Sequence, residues 1–216
     1  MKGALFDLDG VIVDTAKYHF EAWNSLTQNH FKKSLPLELD SRTKGVSRED
    51  SLQIILNFLE IEVSNEEFRE LTIEKNNLYL QSLEKLTSED ILPGIYQLIL
   101  DLKSEGYKIA LASASKNGPF ILDKLGISHL FDAVVNPESV SAGKPAPDIF
   151  LAAAQAIQTT IEDCIGFEDS IAGIKAINCA GALSIGIGSE NELSHANIRY
   201  DSTDQTNCWQ LLQLLK

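Results

Sequence analysis

The chain has 216 residues, 44% of them hydrophobic and 23% charged, which is ordinary for a folded protein. This length suffices for one large domain or for one domain with a smaller insert. The 31 acidic residues outnumber the 18 basic ones, and the net charge is −13. Such a charge opposes non-specific binding to nucleic acid and to anionic membranes, so we expect neither as a partner.

The cysteines and the N-terminus indicate a cytoplasmic protein. Cys164, Cys179 and Cys208 are scattered, odd in number and without CxxC spacing, so we expect reduced thiols and no zinc site. Asp7 and Asp9 interrupt the first apolar run too early for a signal peptide. No run approaches the roughly 18 apolar residues of a membrane span. Nothing in the sequence demands more than a monomer.

The first predicted strand ends in two acidic residues. The run Ala4–Phe6 is typical of a buried strand, and strand side chains repeat every two residues. Asp7 and Asp9 therefore leave the strand on roughly the same side, and Gly10 lets the chain turn away. Two carboxylates this close are unfavourable unless a cation joins them. The alternative is an acidic turn that caps the next helix.

Residues 15–91 predict helices and no strand. Asp14-Thr15 is a plausible helix start, and the helical pattern continues to about Asn29. Ser47 begins a second helix, in which apolar residues follow at helical spacing. Ser64 and Glu67 form a capping box that opens a helix to about Leu83. We therefore predict a helical domain over residues 15–92.

The remainder of the chain alternates helices with strands, beginning with a helix at residues 95–102. Such alternation predicts right-handed crossovers and a mostly parallel sheet covered on both faces. The expected fold is α/β, with a Rossmann-like core of residues 1–14 and 93–216 and a small helical bundle inserted after strand one. A last helix, at about residues 205–215, would pack Trp209 and Leu212 on the sheet. The other predicted strands cover residues 108–112, 133–135, 164–167 and 183–187, and the other predicted helices end at Gly126 or cover residues 147–157 and 170–178.

Polar residues collect where these strands end, and ligands of open parallel sheets bind at that edge. Each signal has an ordinary alternative: the serine-rich turn after residue 112 as a helix cap, Lys144 as a solvated lysine, and Glu168-Asp169 as another cap. Together the strand ends supply acids, hydroxyls and a lysine. Carboxylates on two strand ends are ligands that Mg²⁺ prefers, while serine and lysine suit phosphate oxygens. This combination fits phosphoryl transfer through an aspartyl phosphate.

Four segments together resemble, in chain order, the motifs of the haloacid dehalogenase superfamily. The resemblance spans the whole chain and implies that the helical insert is a small cap over the site. It implies that Asp7 is the nucleophile and Asp9 the general acid/base. It also implies Mg²⁺ held by Asp7, Asp169 and the backbone carbonyl of Asp9, with Glu168 beside them, and a transferring phosphoryl group held by Ser113, Ala114 and Lys144. The matching segments are residues 7–15, Ser113, residues 144–147 and residues 166–170.

The core motifs do not separate a phosphatase from a phosphomutase, because both form the same aspartyl phosphate. A mutase must also grip a second phosphate and exclude water, which requires basic and polar groups on the cap. Arg48 and Ser51 are three residues apart on one predicted helix and suit such a grip. Taken alone, Arg48 is more typical of a surface ion pair and Lys75 of a solvated lysine, while His19 fits a packed polar residue equally well.

The cap segments are similar to those of the superfamily's phosphomutases of β-glucose phosphates. This resemblance implies interconversion of β-D-glucose 1-phosphate and β-D-glucose 6-phosphate through β-glucose 1,6-bisphosphate. It places Thr15 and His19 at the hinge that sets Asp9. Gly143 departs from the related enzymes, which often carry serine there, and should mainly affect loop stiffness. The implied phosphate ligands are Arg48, Ser51, Lys75 and Asn76, and the implied lining of the sugar site is Trp23, Lys44, Gly45, Val46, Ser115, Lys116 and Asn117.

Three other readings remain open. A sugar-phosphate phosphatase would use the same scaffold. A signalling receiver domain also has a parallel sheet with a phosphorylated aspartate, a hydroxyl and a lysine, but it predicts neither Asp9 nor a helical block over residues 15–91. A non-catalytic binding protein would have little use for an intact Asp7 and Asp9 pair.

Overall fold

The computed structural model of the chain describes residues 2–43 and 46–206. Within them, six strands form one parallel sheet in the order β3-β2-β1-β4-β5-β6. The predicted α/β class and parallel sheet are confirmed. The order places β1 at the centre, between β2 and β4. The strands are β1 (Lys2–Phe6), β2 (Tyr107–Leu111), β3 (Ala133–Val134), β4 (Cys164–Glu168), β5 (Leu183–Ile187) and β6 (Ile198–Tyr200).

Helices cover both faces of the sheet because strand side chains alternate between them. Phe6 lies in an apolar cluster with residues of α5 and α6, while its neighbour Leu5 lies in a second cluster with residues of α7 and α8. Both side chains are fully buried. These helices are α5 (Ile95–Ser104), α6 (Gly118–Lys124), α7 (Asp148–Ala156) and α8 (Ile171–Ala180), and a short α9 (Glu190–Leu193) follows β5.

Four helices, here called the helical insert, follow β1. They bury an apolar cluster of their own that includes Trp23, Leu26, Leu52 and Ile55. The chain leaves the sheet and returns to it side by side, because Val13 pairs with Ile91 in an isolated bridge. The insert therefore lies at the carboxyl edge of β1. Its helices are α1 (Ala16–Phe31), α2 (Glu38–Thr43), α3 (Arg48–Leu59) and α4 (Asn65–Leu83).

The predicted helix starts in the insert are largely confirmed. The Ser47 hydroxyl accepts a hydrogen bond from the backbone N–H of Asp50, and Ser64 forms the predicted capping box with Glu67. Thr15 does precede the first helix, but its side chain makes no capping bond. Its hydroxyl oxygen instead accepts a hydrogen bond from the Tyr79 phenol.

The structure adds three elements to the prediction, the helices α2 and α9 and the strand β6, and also several short 3₁₀ helices. Several boundaries differ by a few residues, and β3 ends at Val134, although Val135 still donates its backbone N–H to Leu111. Most of the predicted last helix, including Trp209 and Leu212, lies outside the described residues. Its first two positions are described, and Gln205 there is the last residue of a short 3₁₀ helix. Across residues 2–43 and 46–206, no helix combines the length and apolarity needed to span a membrane.

Candidate active site

Three buried carboxylates meet at the carboxyl edge of the two central strands. Phe6 of β1 is paired with Phe167 of β4, so the residues that follow them, Asp7 and Glu168, are neighbours. Asp169 comes next in the chain. One oxygen from each of these three carboxylates lies within 4.8 Å of the others. The parallel sheet therefore produces the predicted acidic cluster directly from the strand register.

Lys144 lies inside this cluster. Its Nζ atom donates hydrogen bonds to Asp7 Oδ1 at 2.6 Å and to Glu168 Oε1 at 2.7 Å, and the side chain is almost fully buried. Burial lowers the pKa of Lys144, but Asp7 and Glu168 raise it above its usual value, so the ammonium stays charged. Burial raises the pKa of Asp7 to about 6, against the opposing effect of Lys144. One ammonium thus contacts two carboxylates, and the third, that of Asp169, lies beside them.

This charge balance and the local backbone suit a metal cation. The donors are oxygens, as hard divalent cations prefer. Gly10 has a φ of +74°, and a Cβ atom there would lie 1.6 Å from Asp169 Oδ2. Only glycine therefore allows the Asp169 carboxylate to approach the turn after Asp9. Glu168 is held in place by its Oε2 atom, which accepts the backbone N–H groups of Asp169 and Ser170.

Asp9 faces a chain of polar groups from the helical insert. Its Oδ2 atom lies 3.9 Å from His19 Nε2, and His19 Nδ1 lies 2.6 Å from Lys75 Nζ. Among the residues that the structure describes, neither Asp9 Oδ1 nor His19 Nε2 has a hydrogen-bond partner. Lys75 is 1% exposed and lies near the rings of Trp23 and Tyr79. The predicted hinge and cap residues therefore converge on the predicted acid/base.

Two of these polar groups, Asp9 and Lys75, have pKa values near 7. Burial, followed by the charge of Asp7, raises the pKa of Asp9 to about 7. Burial, followed by Arg48, lowers the pKa of Lys75 to about 7. The same two causes, burial and a nearby cation, hold the pKa of His19 well below its usual value, so the imidazole is neutral. When Lys75 donates to Nδ1, the ring proton is on Nε2, facing Asp9.

A cleft separates the helical insert from the sheet, a common position for a small-molecule site. Most of the predicted ligand-binding residues line it. Asp40 and Thr43 of α2 also line it, and sequence reasoning missed both because α2 itself carries no clear helical pattern. The residues predicted for the site that line this cleft are Asp9, His19, Trp23, Val46, Arg48, Ser51, Lys75, Ala114, Ser115, Lys116 and Asn117.

The other predicted site residues have different positions. Thr15 and Ser113 are buried, and the Ser113 hydroxyl accepts the backbone N–H of Ser115. Asn76 Oδ1 accepts hydrogen bonds from Arg48 at 2.8 Å and from Asn117 at 2.9 Å. Lys44 and Gly45 lie outside the described residues.

Lys116 links the helical insert to the sheet. Its Nζ atom lies 2.9 Å from a carboxylate oxygen of Glu49, in the first turn of α3, and 2.9 Å from one of Glu138, which follows β3. Neither glutamate was singled out from the sequence. Nothing in their spacing marks them, because they meet Lys116 only in the folded chain.

Comparison with known proteins agrees with this geometry. Residues 1–181 match the family model described as haloacid dehalogenase-like hydrolase. The chain is 45% identical over 202 residues to a β-phosphoglucomutase of Bacillus subtilis, covering 92% of this chain and 88% of the relative. It is 31% identical to a phosphorylated carbohydrates phosphatase of Thermotoga maritima, covering 84% and 82%. The crystal structure of a β-phosphoglucomutase from Clostridium difficile superposes with a TM-score of 0.96 at 41% identity, covering 99% and 96% of the two chains. The chain therefore belongs to the haloacid dehalogenase-like hydrolase family.

Proposed function

We propose that this protein is a phosphomutase that interconverts β-D-glucose 1-phosphate and β-D-glucose 6-phosphate through an aspartyl phosphate and β-glucose 1,6-bisphosphate. The observation that carries the proposal is a second group of basic side chains, besides Lys144, in the cleft that Asp9 lines: Arg48, Lys75 and Lys116. A phosphatase needs to hold one phosphate, whereas a mutase holds a bisphosphate. The relatives named β-phosphoglucomutase support the same conclusion.

Asp7 acts as the nucleophile. Its pKa of about 6 leaves the carboxylate ionised at neutral pH, and the Lys144 ammonium holds one of its oxygens. Ser113, Ala114 and Lys144 would hold the transferring phosphoryl group. Mg²⁺, held by Asp7, Asp169 and the backbone carbonyl of Asp9 with Glu168 beside them, would offset the negative charge of the phosphoryl oxygens. Lys144 supplies further positive charge at the same place.

Asp9 carries the proton in both half-reactions. When the bisphosphate transfers one phosphoryl group to Asp7, Asp9 gives its proton to the departing sugar oxygen. The sugar then turns over, its other hydroxyl returns a proton to Asp9, and the resulting oxygen attacks the phosphorus of the aspartyl phosphate. The Asp9 pKa of about 7 suits both directions near neutral pH.

The helical insert acts as a cap that couples substrate binding to Asp9. Arg48, Ser51 and Lys75 would bind the non-transferring phosphate, and Asn76 supports them by accepting hydrogen bonds from Arg48 and Asn117. A phosphate that draws the cap inward would move the His19 Nε2–H from 3.9 Å into hydrogen-bonding distance of Asp9. Asp9 would then be oriented only in a closed, water-free site. The sugar lies against the remaining cleft residues, such as Trp23, Val46 and Ser115.

We also propose that the chain divides into a catalytic core, residues 1–14 and 93–216, and a cap, residues 15–92. The protein would be a cytoplasmic monomer whose substrate and intermediate are small sugar phosphates. The acidic net charge supports the absence of a nucleic-acid partner.

One assay tests the function. Purified protein is given β-glucose 1-phosphate, Mg²⁺ and a bisphosphate primer, and the products are separated. We expect glucose 6-phosphate. Release of free phosphate without glucose 6-phosphate would contradict the mutase and support the sugar-phosphate phosphatase, the activity named for the Thermotoga maritima relative.

An Arg48→Ala variant tests the phosphate grip. We expect kcat/KM of the mutase reaction to fall roughly 10- to 100-fold, because a charge-assisted contact with the non-transferring phosphate is lost. Hydrolysis of a small phosphate ester needs no such contact and should change much less. Arg69→Ala, which removes an exposed arginine from α4, is the matched control. Equal losses in both reactions would count against the grip.

A further inference from the structure

Lys116 is the meeting point of two carboxylates that belong to different parts of the molecule. Glu49 is in the helical insert, whereas Glu138 lies in the 3₁₀ helix Pro137–Ser139 that follows β3. Both carboxylate oxygens are 2.9 Å from the same ammonium. The three side chains therefore form an ionic contact across the boundary between insert and sheet, and no ligand is needed to make it.

This ionic contact is weak enough to open in each catalytic cycle. The side chains of Lys116, Glu49 and Glu138 are 31%, 44% and 62% exposed, and exposed ion pairs are individually weak and sensitive to salt. Burial lowers the pKa of Lys116, but the two glutamates together raise it above its usual value, so the ammonium remains charged. A lysine ammonium has three donors, and the two glutamates leave one for a ligand in the cleft that Lys116 lines.

A second cross-boundary contact lies beside the first. Asn117, the next residue, donates its side-chain amide to Asn76 Oδ1, and the same oxygen accepts a bond from Arg48. Consecutive residues after β2 thus reach two helices of the insert, α3 and α4. The boundary is held at the edge of the cleft where the non-transferring phosphate would bind.

We propose that Glu49, Lys116 and Glu138 form a latch that holds the cap against the core before the substrate arrives. Glu138 fixes Lys116 on the core side, and Glu49 is the half that moves away when the cap opens. Glu49 and Glu138 are positioning residues, since neither touches the reacting atoms. The consequence for catalysis rests on the proposed mutase function: a weaker latch admits more water to the aspartyl phosphate, so hydrolysis competes better with transfer to the sugar.

The first test measures closure of the ligand-free protein by small-angle X-ray scattering at low and high salt. For the wild type we expect the radius of gyration to increase with salt, because screening weakens the latch. Glu49→Gln should start at the larger radius and respond less to salt. Glu66→Gln is the control, since Glu66 is an exposed glutamate in the first turn of another insert helix. If Glu49→Gln matches the wild type in radius and salt response, the latch is refuted.

The second test measures how the phosphorylated enzyme divides between hydrolysis and transfer. Breaking one exposed ion pair should raise the hydrolysis-to-transfer ratio about twofold to fivefold in Glu49→Gln and in Glu138→Gln, with Glu66→Gln unchanged. The double variant should add little, because both glutamates act through Lys116. Unchanged ratios in both single variants would overturn the proposal. A wild type that makes no glucose 6-phosphate would instead refute the proposed function, while the scattering test would still judge the latch.

Discussion

Asp7 and Asp9 are two residues apart at one strand end, yet their surroundings differ. Asp7 accepts a hydrogen bond from Lys144 at 2.6 Å. Asp9 Oδ1 has no partner within residues 2–43 and 46–206, and Asp9 Oδ2 faces His19 at 3.9 Å. Burial raises the pKa of both, to about 6 and about 7. At neutral pH the first carboxylate is therefore ionised and the second exchanges its proton. The difference in proposed roles follows from the neighbours and not from the residue type.

Replacing Asp9 by asparagine should stabilise the metal-free protein and abolish mutase turnover. The pKa of Asp9 is about 7 in the fold and 3.8 ordinarily, so the folded chain binds this proton more tightly than the unfolded chain does. The stability contributed by Asp9 therefore falls as the pH rises from about 4 to about 7. Asn cannot ionise and avoids this loss. Because the side chain is still 22% exposed, we expect a gain of about 1–3 kcal/mol at pH 8.

Urea unfolding in EDTA at about pH 5 and about pH 8 measures this effect. The advantage of Asp9→Asn should be larger at the higher pH, because only there is the wild-type carboxylate fully ionised. Asp14→Asn is the control, since Asp14 is exposed near the same turn. An advantage that does not change with pH, or a variant less stable than the wild type at pH 8, would show that Asp9 is not held in an unfavourable charged state.

At the scale of elements, Gly173 in α8 leaves room for the carboxylate of Glu168 at the end of β4. A Cβ atom on Gly173 would lie 1.7 Å from Glu168 Oε1, so the helix and the side chain fit only because this position has none. Alanine in a helix interior is ordinarily better than glycine by about 0.8–1.0 kcal/mol. Here the steric conflict should outweigh that preference. Gly173 was not predicted from the sequence, because its role depends on where the Glu168 side chain turns.

Gly173→Ala should therefore lower both stability and activity. We expect a loss of about 1–3 kcal/mol in unfolding free energy, typical of overpacking a buried site, and at least a tenfold loss of mutase kcat/KM as Glu168 and Lys144 move apart. Gly143→Ala is the matched control: nothing lies within 4 Å of its added Cβ atom, so it should be neutral or stabilising by up to about 1 kcal/mol. Thermal unfolding and the mutase assay compare them. A neutral Gly173→Ala would mean that Glu168 moves aside without consequence.

The elements that the sequence predicted are those with strong local signals. Ser47 and Ser64 mark helix starts through capping bonds that involve only nearby residues, and the buried strands are continuous apolar runs. The missed elements α2, α9 and β6 are short, and α9 has only four residues. The six residues of α2 carry no apolar periodicity, and β6 is a three-residue edge strand whose side chains are all partly exposed. In both cases contacts with distant parts of the chain fix the structure.

At the scale of the whole molecule, the same distinction separates the parts of the site that were predicted from those that were not. Parallel strands bring their carboxyl ends to one edge, so residues that directly follow strands, such as Asp7 and Asp169, could be placed together from the sequence. Contacts between elements that are distant in the chain could not. Lys75 meets His19 across 56 residues within the helical insert, and Lys116 meets Glu49 across 67 residues between the sheet and the insert. No periodicity encodes such pairs, which depend on how the insert helices pack on each other and on the sheet.

The acidic centre links metal binding to the stability of the whole fold. Asp7, Glu168 and Asp169 are buried beside one another, the Lys144 ammonium contacts the first two, and burial is the main cause of the raised pKa of Asp7. A cation that binds only the folded chain adds RT ln(1 + [L]/Kd), about 2.7 kcal/mol at a hundredfold excess over Kd. For a chain of this length, each kcal/mol raises the midpoint of thermal unfolding by about 2–4 °C.

Saturating Mg²⁺ should therefore raise the unfolding midpoint of the wild type by about 5–11 °C relative to the protein in EDTA. Asp169→Asn removes one proposed ligand, so its rise with Mg²⁺ should be mostly lost, whatever its midpoint in EDTA. Asp14→Asn, which changes an exposed aspartate, should keep the full rise. The comparison is between increments, so a general change in stability does not affect it. A rise of equal size in Asp169→Asn would mean that the cation binds elsewhere, because a ligand that acts at the acidic centre cannot be indifferent to the loss of one of its three carboxylates.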